Sequence, residues 1–388
     1  METGNSLGRN NLAGEKTSQV VGKSRVLGEI SGALGDLGTF LPHVLGAITV
    51  AGFKPTGIFT MFGLFYLATG LFYRLPVAVQ PMKAASAVIL VEKVTPGEMA
   101  GAAIIIGLTL LILGVTGLIG VLARIIPRTV VAGIQLGLGV GLALLGLKMI
   151  AENLLIGVAT LLVMIPLGFN RRLPQALVGI GTGIVLALFL GQAPSWPQSV
   201  PSLYLPEVTW PSWSEVGDGL TKIALPQLTL TLTNAIIVTS TLAGQLFPGS
   251  NRVNPVNLAL TQGLANILAG PLGGFPMCHG GGGMAAHHRF GARTGLAPVL
   301  LGLVLLTLGL FYGEAGVALL KFIPAASLGA LLFYSGLDLA LGGQLPENRQ
   351  EFFVILVVAA LVLGTNPALA LLVGLIIAWV KEKNLLQP

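Results

Sequence analysis

The sequence predicts an all-α polytopic membrane protein, and three observations lead to this fold class. Hydrophobic residues make up 54% of the 388 residues and charged residues only 9%, whereas a soluble domain carries about 25% charged residues. The apolar blocks are each about 15 to 25 residues long, close to the length at which an α-helix crosses a bilayer. Transmembrane β-strands would instead alternate over about 10 residues. A helical membrane bundle is therefore expected, and not a barrel.

The apolar blocks predict about 14 transmembrane segments, seven in each half of the chain. In the first half the predicted spans are 28–48, 56–73, 77–91, 98–123, 129–148, 153–169 and 174–192. In the second half they are 223–243, 256–270, 278–288, 295–313, 315–323, 324–341 and 351–380. The last block is interrupted at Gly364 to Pro367, so it is either one long helix or two half-helices. Because each half holds an odd number of helices, the halves are expected to be inverted repeats.

The chain is thus divided into two repeats, a connecting segment and two tails. Residues 1–25 are polar and basic without a signal-peptide cleavage site, which predicts a disordered cytoplasmic tail. Residues 26–192 form the first inverted repeat, with spans 1–7, and residues 223–380 form the second, with spans 8–14. Residues 193–222 are predicted to be an extracytoplasmic loop or an interfacial segment, because their Trp and Tyr side chains suit the headgroup level. Residues 381–388 are predicted to be a short cytoplasmic tail.

Basic residues set the expected orientation. With the N-terminus in the cytoplasm, most loop arginines lie on the cytoplasmic side, as the positive-inside rule requires. They are Arg74, Arg124, Arg128, Arg171, Arg172, Arg252, Arg289 and Arg293. The net charge of +6 comes from residues scattered singly in loops, so no nucleic-acid partner is expected. We expect an integral protein of the plasma (inner) membrane with both termini in the cytoplasm.

Two short segments interrupt the apolar pattern at matching positions of the two halves. Val79–Lys83 (VQPMK) and Phe275–His279 (FPMCH) each place Pro-Met and a basic residue in an apolar context, and the second runs into the glycines 280–283. Broken helices at matching positions mark a carrier's substrate site, because their N-terminal ends offer unpaired N–H groups and a positive dipole. Spans 3 and 10 are therefore predicted to be half-helices, with the amides of Gly280 and Gly281 facing an anion.

Lys83 and His279 are the candidate cations of this site, since a buried ammonium must face protein or water rather than lipid. Lys83 either neutralises a dianionic substrate, with Gln80 as a hydrogen-bond donor beside it, or it pairs with Asp36 or snorkels. His279 is either a donor to the substrate or a core histidine that caps a helix. Gln80, Lys83 and His279 are all predicted to bind substrate.

Asp36 is the carboxylate at the centre of span 1, and intramembrane carboxylates are functional by default. It could bind a coupling proton, repel the wrong anion, or counter Lys83 and cap a broken helix. Together with the neighbouring Thr39, Asp36 is predicted to couple transport to an ion or to shape the site.

Span 8 carries polar residues at helical spacing. Gln227, Thr231 and Asn234 recur at i, i+4 and i+7, so one face of this helix is polar. That face either offers neutral hydrogen-bond groups to an oxyanion or bonds to a neighbouring helix. All three residues are candidate substrate ligands.

The histidine pair His287 and His288, followed by Arg289 and Arg293, is interpreted as part of a cytoplasmic loop. A double histidine can indicate a metal, but no carboxylate or third ligand lies near it in the sequence, so no metal site is expected. The lone cysteine, Cys278, excludes an intramolecular disulfide. No cofactor is predicted.

Three segments resemble the signatures of one family. Residues 32–42 (GALGDLGTFLP), 76–83 (PVAVQPMK) and 276–295 (PMCHGGGGMAAHHRFGARTG) are similar to those of the molybdate transporter family related to the sulfate permeases. The resemblance implies a core domain of spans 1–4 and 8–11, a gate domain of spans 5–7 and 12–14, and substrate between spans 3 and 10. It also implies import of molybdate, with tungstate or sulfate as further substrates. The STAS domain of many sulfate permeases is not expected here, so a homodimer would depend on the gate helices.

The predicted function is transport of the tetrahedral oxyanion molybdate by alternating access, as a symporter or a facilitated carrier. Two alternatives stay open from the residues alone: a sulfate or bicarbonate permease, and an anion channel on the same scaffold. The chain carries no Gly-x-x-x-x-Gly-Lys-Ser/Thr loop of an ATPase and no catalytic motif, so no enzyme activity is expected. The expected partners are molybdate and the lipid bilayer.

Overall fold

The computed structural model describes residues 25–49, 52–91, 94–168, 174–198, 201–341, 348–365 and 367–382. The predicted N-terminal tail and most of the C-terminal tail lie outside the described residues, as do Arg171 and Arg172 of the predicted loops. Within these ranges the chain is mostly helical, with one two-stranded sheet.

The first half contains nine helices within the described residues, and strand β1 at Gln80–Pro81. The helices are α1 (25–35), α2 (Leu37–Thr49), α3 (Pro55–Tyr73), α4 (Lys83–Val91), α5 (Pro96–Val115), α6 (Leu118–Ile125), α7 (Arg128–Glu152), α8 (Leu154–Gly168) and α9 (Gln175–Phe189).

The second half has strand β2 at Met277–Cys278. Its helices, again within the described residues, are α10 (Trp213–Leu246), α11 (Pro255–Ala269), α12 (Gly281–Arg289), α13 (Leu296–Tyr312), α14 (Glu314–Leu320), α15 (Ala325–Leu341), α16 (Arg349–Gly364) and α17 (Pro367–Glu382).

Local capping signals place several helix starts. Proline occupies the first position of α3, α5 and α11, where its missing N–H costs nothing. At α5 a capping box is complete, because Thr95 accepts from the N–H of Glu98 and the Glu98 carboxylate accepts from the N–H of Thr95. Ser212 and Glu215 form the same box at the start of α10. These boxes fix where the two apolar helices begin.

Several element boundaries differ from the sequence prediction. The first span is broken at Asp36, which lies in a turn between α1 and α2. Helix α10 begins at Trp213, inside the segment 193–222 that was predicted to be a loop or interfacial segment. The predicted span 315–323 corresponds to α14, which is a helix of 7 residues that ends at Leu320. The last apolar block consists of two helices, α16 and α17, which is one of the two alternatives the sequence left open.

Helix length separates membrane-crossing helices from short ones. Among the described residues, four helices are long and apolar enough to cross a membrane, namely α3, α5, α7 and α10. A fifth crossing results if α14 and α15, bent by 70°, are counted together. Helices α4 and α12 have 9 residues each, about half of the roughly 20 residues that a crossing needs.

The helix order of the second half repeats that of the first, at an offset of about 195 residues. Helix α8 (Leu154–Gly168) corresponds in this way to α16 (Arg349–Gly364), and the short α6 corresponds to α14. The packing is reciprocal as well. Helix α3 packs on α13 while α5 packs on α11, and α7 packs on its own counterpart α15.

Glycines permit these three helix crossings. In each pair, a Cβ added to either glycine would lie 2.6 to 2.9 Å from the carbonyl oxygen of the other, so the two backbones touch. The pairs are Gly63 with Gly302 (α3 and α13), Gly107 with Gly263 (α5 and α11), and Gly139 with Gly336 (α7 and α15). Small residues therefore set the spacing of these six helices.

Candidate anion site

The two Pro-Met segments lie side by side, as the sequence predicts. Strand β1 pairs with β2 in antiparallel register, with Gln80 opposite Cys278 and Pro81 opposite Met277. Each strand leads into one of the short helices, β1 into α4 and β2 into α12. The starts of two short helices are thereby brought to one place, where their first N–H groups have no intrahelical partner.

Asn266 of α11 holds strand β2 in position. Its Nδ2 donates to the carbonyl oxygen of Met277 at 2.8 Å, and its Oδ1 accepts from the N–H of Met277 at 2.9 Å. Asn266 is fully buried. Both backbone groups on the outer side of this two-residue strand are thus satisfied by one side chain, which the sequence analysis did not single out.

The glycine run lies against two buried amide side chains. Gly280 caps α12, and a Cβ added there would collide with Oε1 of Gln80 and lie 3.7 Å from Nδ2 of Asn234. A Cβ added at Gly281 would lie 3.5 Å from Oδ1 of Asn234. Only glycine therefore leaves the backbone at the start of α12 accessible to these two side chains.

Both amides carry an oxygen that accepts no hydrogen bond from any described residue. These atoms are Oε1 of Gln80, which is 1% exposed, and Oδ1 of Asn234, which is 4% exposed. An unpaired buried polar atom costs about 1–3 kcal/mol. Since an amide turned by 180° fills the same volume, Asn234 can present its Nδ2 donors to a ligand at this point.

Asp36 is the centre of a buried hydrogen-bond cluster. Its Oδ1 accepts from Oγ1 of Thr39 at 2.5 Å and from Nε2 of Gln80 at 2.6 Å, and its Oδ2 accepts from Oη of Tyr66. Asp36 is 0% exposed. Because a carboxylate only accepts, it fixes which way the Gln80 amide faces, with Oε1 toward the start of α12.

His287 joins the same cluster, so its assignment to a cytoplasmic loop is wrong. It lies in α12 and is 0% exposed, with Nε2 3.4 Å from Oδ2 of Asp36. Its Nδ1 lies 2.9 Å from the carbonyl oxygen of Gly32. The loop prediction fails because the helix continues through His287 and His288 and ends only at Arg289.

Lys83 is the first residue of α4 and is partly buried. It forms no direct ion pair with Asp36. The described residues provide no salt-bridge partner for Lys83. Among these residues Lys83 therefore has no carboxylate counter-ion, which leaves its side chain available to an anion.

Both ring nitrogens of His279 are occupied. Nδ1 lies 2.8 Å from the carbonyl oxygen of Ala78, and Nε2 lies 2.9 Å from Oγ1 of Thr261, which in turn lies 2.6 Å from Oη of Tyr73. His279 links β2 to the residues before β1. Of the two alternatives for His279, this arrangement favours the core histidine.

The three polar residues of span 8 have different surroundings. Nε2 of Gln227 donates to Oγ1 of Thr231 at 3.0 Å, whereas Asn234 contacts the glycine run. The helix is π-helical from Thr231 to Val238. A π-helix has more residues per turn than an α-helix, so Asn234 is rotated from the position that an α-helical i, i+4, i+7 pattern gives it relative to Gln227 and Thr231.

The site contains residues that the sequence analysis did not single out, notably Tyr66, Asn266 and His287. The signal for His287 was present, since an ionisable residue inside a membrane helix indicates function. Asn266 carried the same signal as Gln80, a polar amide within an apolar block, whereas nothing in the sequence separates Tyr66 from ordinary packing residues.

The fold and this site define an integral membrane protein built like known anion transporters. The chain superposes on the transmembrane domain of the cyanobacterial bicarbonate transporter BicA with a TM-score of 0.57 at 21% identity, covering 91% of this chain and 97% of that one. It superposes on the murine Solute Carrier 26 family member A9 anion transporter with a TM-score of 0.62 at 14% identity, covering 94% and 69%. At these identities the likeness concerns the fold alone.

Sequence comparison identifies the family. A profile described as "Molybdate transporter of MFS superfamily" matches residues 28–142 and 219–339. The chain is 30% identical to Molybdate transporter 2 of Arabidopsis thaliana over 92% of its length and 87% of that protein. It is 28% identical to Molybdate transporter 1 of Chlamydomonas reinhardtii over 90% of each. This chain belongs to the molybdate transporter family.

Proposed function

We propose that this protein transports molybdate across its membrane by alternating access, with the anion held where β1 and β2 meet. The observation that carries the proposal is the antiparallel pairing of Gln80 with Cys278, which places the starts of α4 and α12 at one point. A tetrahedral dianion suits a place where two sets of unpaired N–H groups and two helix dipoles converge.

The residues around this point have distinct proposed roles. The amides of Gly280 and Gly281 and the Nδ2 group of Asn234 donate to the anion, and Lys83 supplies charge. Gln80, oriented by Asp36 and Thr39, shapes the pocket. His279 positions β2. Gln227 and Thr231 hydrogen-bond to each other within α10, and Thr231 lies about one turn before Asn234. These roles are supported by the contacts described above.

We propose that the chain forms seven plus seven inverted spans, with α4 and α12 as half-helices. The reciprocal packing of α3 on α13 and of α5 on α11 supports a two-fold relation between the repeats 26–192 and 223–380. Spans 12 to 14 are then α15, α16 and α17, and α14 is the counterpart of α6. The core domain contains α1 to α6 and α10 to α14, and the gate domain contains α7 to α9 and α15 to α17.

The proposed setting is the plasma (inner) membrane with cytoplasmic termini, which the arginine distribution supports. A homodimer through the gate helices, and tungstate or sulfate as additional substrates, belong to the same proposal.

Parallel titration calorimetry tests the substrate. Purified protein is titrated with molybdate, tungstate, sulfate and bicarbonate, and molybdate is expected to bind most tightly. Uptake of radiolabelled molybdate into proteoliposomes should saturate and should persist in a large excess of sulfate. Tighter binding of sulfate or bicarbonate would overturn the proposed specificity, and uptake that never saturates would indicate a channel.

Lys83→Ala tests the site within the same experiment. Losing one hydrogen bond to an ionised group costs about 1.5–3 kcal/mol, so the Kd for molybdate should rise roughly 10-fold to 100-fold. Lys148→Ala is the matched control, because Lys148 is an exposed lysine on α7, and its Kd should equal that of the wild type. Wild-type binding by Lys83→Ala would remove Lys83 from the site.

A further inference from the structure

A large cavity lies apart from the paired strands. It has a volume of about 1190 Å³ and is bounded by the end of α6, the start of α7, the second half of α10 and the start of α11. Polar and charged side chains share its lining with apolar ones, and Arg124, Arg128, Gln135 and Ser240 are among the residues that face it. Such a lining is suited to water and to an anion rather than to lipid.

Gln135 marks the deep end of this cavity. It is 1% exposed, and its Nε2 donor has no hydrogen-bond partner within the part of the chain that the structure describes. Arg128, Ala132 and Gln135 follow one another at i, i+4 and i+7 of α7, and all three line the cavity. A buried amide donor without an acceptor is the group that an oxyanion would satisfy.

The charges at the mouth of the cavity favour an anion. Neither Arg124 nor Arg128 forms an ion pair or side-chain hydrogen bond with any residue that the structure describes. Arg128 is also the first residue of α7, whose N-terminal end carries the positive pole of the helix dipole. Glu351 lines the cavity too, so the two guanidinium groups are opposed by one carboxylate.

Two helices, α7 and α10, contribute residues both to this cavity and to the candidate anion site. On α7, Leu142 lies against the glycine run, since its Cδ1 is 2.7 Å from a Cβ added at Gly282. Gln135 precedes Leu142 by about two helical turns, or roughly 10 Å. On α10, Thr241 lines the cavity and Asn234, a similar distance back, contacts the glycine run.

We propose that this cavity contains a second oxyanion subsite, at which an anion binds to Gln135 and Arg128 on its way to or from the glycine run. The subsite rests on the proposed transport function and adds to it a separate binding step. Its ligand class is the tetrahedral oxyanion, bound more weakly than at the paired strands because solvent reaches the arginines.

Molybdate exchange tests the subsite. Proteoliposomes with molybdate on both sides are used, so that each cycle passes the cavity whichever way the protein is inserted. Gln135→Met keeps the side-chain length and removes the amide, and it should lower kcat/KM for exchange about tenfold, the cost of one hydrogen bond to an ion. The Kd of the main site, measured by calorimetry, should stay at the wild-type value.

Variants of Arg128 and Gln245 complete the test. Arg128→Gln should lower kcat/KM at low salt and weaken its salt dependence, and Arg128→Lys should restore both, because the charge draws the anion in. Gln245→Met, at an exposed amide on the same cavity, should behave as wild type.

Two results would overturn the subsite. One is unchanged exchange in both Gln135→Met and Arg128→Gln, and the other is an equal loss of main-site binding in Gln135→Met. Absence of molybdate exchange by the wild type would instead refute the proposed transport function, so the two failures are distinguishable.

Discussion

At the scale of single residues, the Asp36 cluster constrains where protons lie. The carbonyl oxygen of Gly32 can only accept, so Nδ1 of His287 must carry the hydrogen of their 2.9 Å contact. Nε2 of His287 then faces Oδ2 of Asp36 at 3.4 Å, and two lone pairs at that separation would repel. A proton between Asp36 and His287 removes the repulsion, and Gln80 connects this pair to the proposed anion site.

We therefore predict that Asp36→Asn abolishes the pH dependence of molybdate uptake. If Asp36 carries the coupling proton, acid outside should accelerate uptake in wild-type proteoliposomes, because the proton then enters with the anion. The other ionisable groups near Asp36 are Tyr66, Cys278 and Lys83. The measurement is the initial rate of radiolabelled molybdate uptake at fixed inside pH and varied outside pH.

Glu29→Gln is the control for removing a buried carboxylate. Glu29 is 1% exposed and accepts from the N–H groups of Arg293 and Thr294 at 3.0 Å, near the start of α13. Its loss should lower thermal stability and leave the pH response intact. A pH response that persists in Asp36→Asn would rule out Asp36 as the coupling residue.

At this scale the sequence singled out polar residues that stand in apolar surroundings. Asp36, Gln80 and Lys83 stand out because polar groups are rare in apolar blocks, and the structure places Asp36 and Gln80 in direct contact. Tyr66 could not be predicted, since its hydroxyl acquires a role only through a partner 30 positions away.

At the scale of elements, strand β2 depends on a neighbouring helix. It has only two residues, and isolated two-stranded pairings are marginal in stability. Asn266 supplies two further hydrogen bonds to Met277. The alignment of β2, and with it the start of α12, therefore rests on one side chain of α11.

Asn266→Ala should loosen the candidate site. Both backbone groups of Met277 would lose their partners, at about 1–3 kcal/mol for each unpaired buried group, so the melting temperature should fall and the Kd for molybdate should rise. Asn257→Ala on the same helix is the control, because Asn257 donates its one side-chain hydrogen bond at an exposed position. Unchanged melting and binding in Asn266→Ala would show that β2 needs no support from α11.

Helix starts were predictable from the sequence where a capping residue marks them. The starts of α5 and α11 follow Thr95 and Asn254, each directly before a proline. The start of α10 was missed although Ser212 and Glu215 form a readable capping box, because hydropathy alone was used to place that span. The π-helical stretch in α10 has no comparable local signal and depends on packing against the rest of the bundle.

At the scale of the whole molecule, the offset between the two Pro-Met segments predicted which elements meet. The same offset relates α8 to α16 and α6 to α14. The glycine crossings were not predictable individually, because the chain contains 54 glycines and only the folded backbone shows which ones touch. The sequence alone therefore did not predict which helices pack against each other through glycines.

Cysteine labelling tests how the protein is oriented in the membrane and from which side a reagent reaches the cavity. The native Cys278 is buried at 6% exposure, so the wild type should react little with a membrane-impermeant maleimide. Ser240→Cys introduces a thiol in the cavity, and Leu203→Cys introduces one at a 67% exposed position of the connecting segment. With cytoplasmic termini, Leu203→Cys should react from outside and Ser240→Cys only from inside.

Molybdate should slow the labelling reaction at the cavity. If access alternates, saturating molybdate outside should shift the population toward the state that closes the cavity and slow the reaction of Ser240→Cys from inside, while Leu203→Cys reacts as before. Reaction of both thiols from the same side would overturn the proposed orientation. Equal reaction of Ser240→Cys from both sides would mean a continuous aqueous path, which is the property of a channel and would refute alternating access.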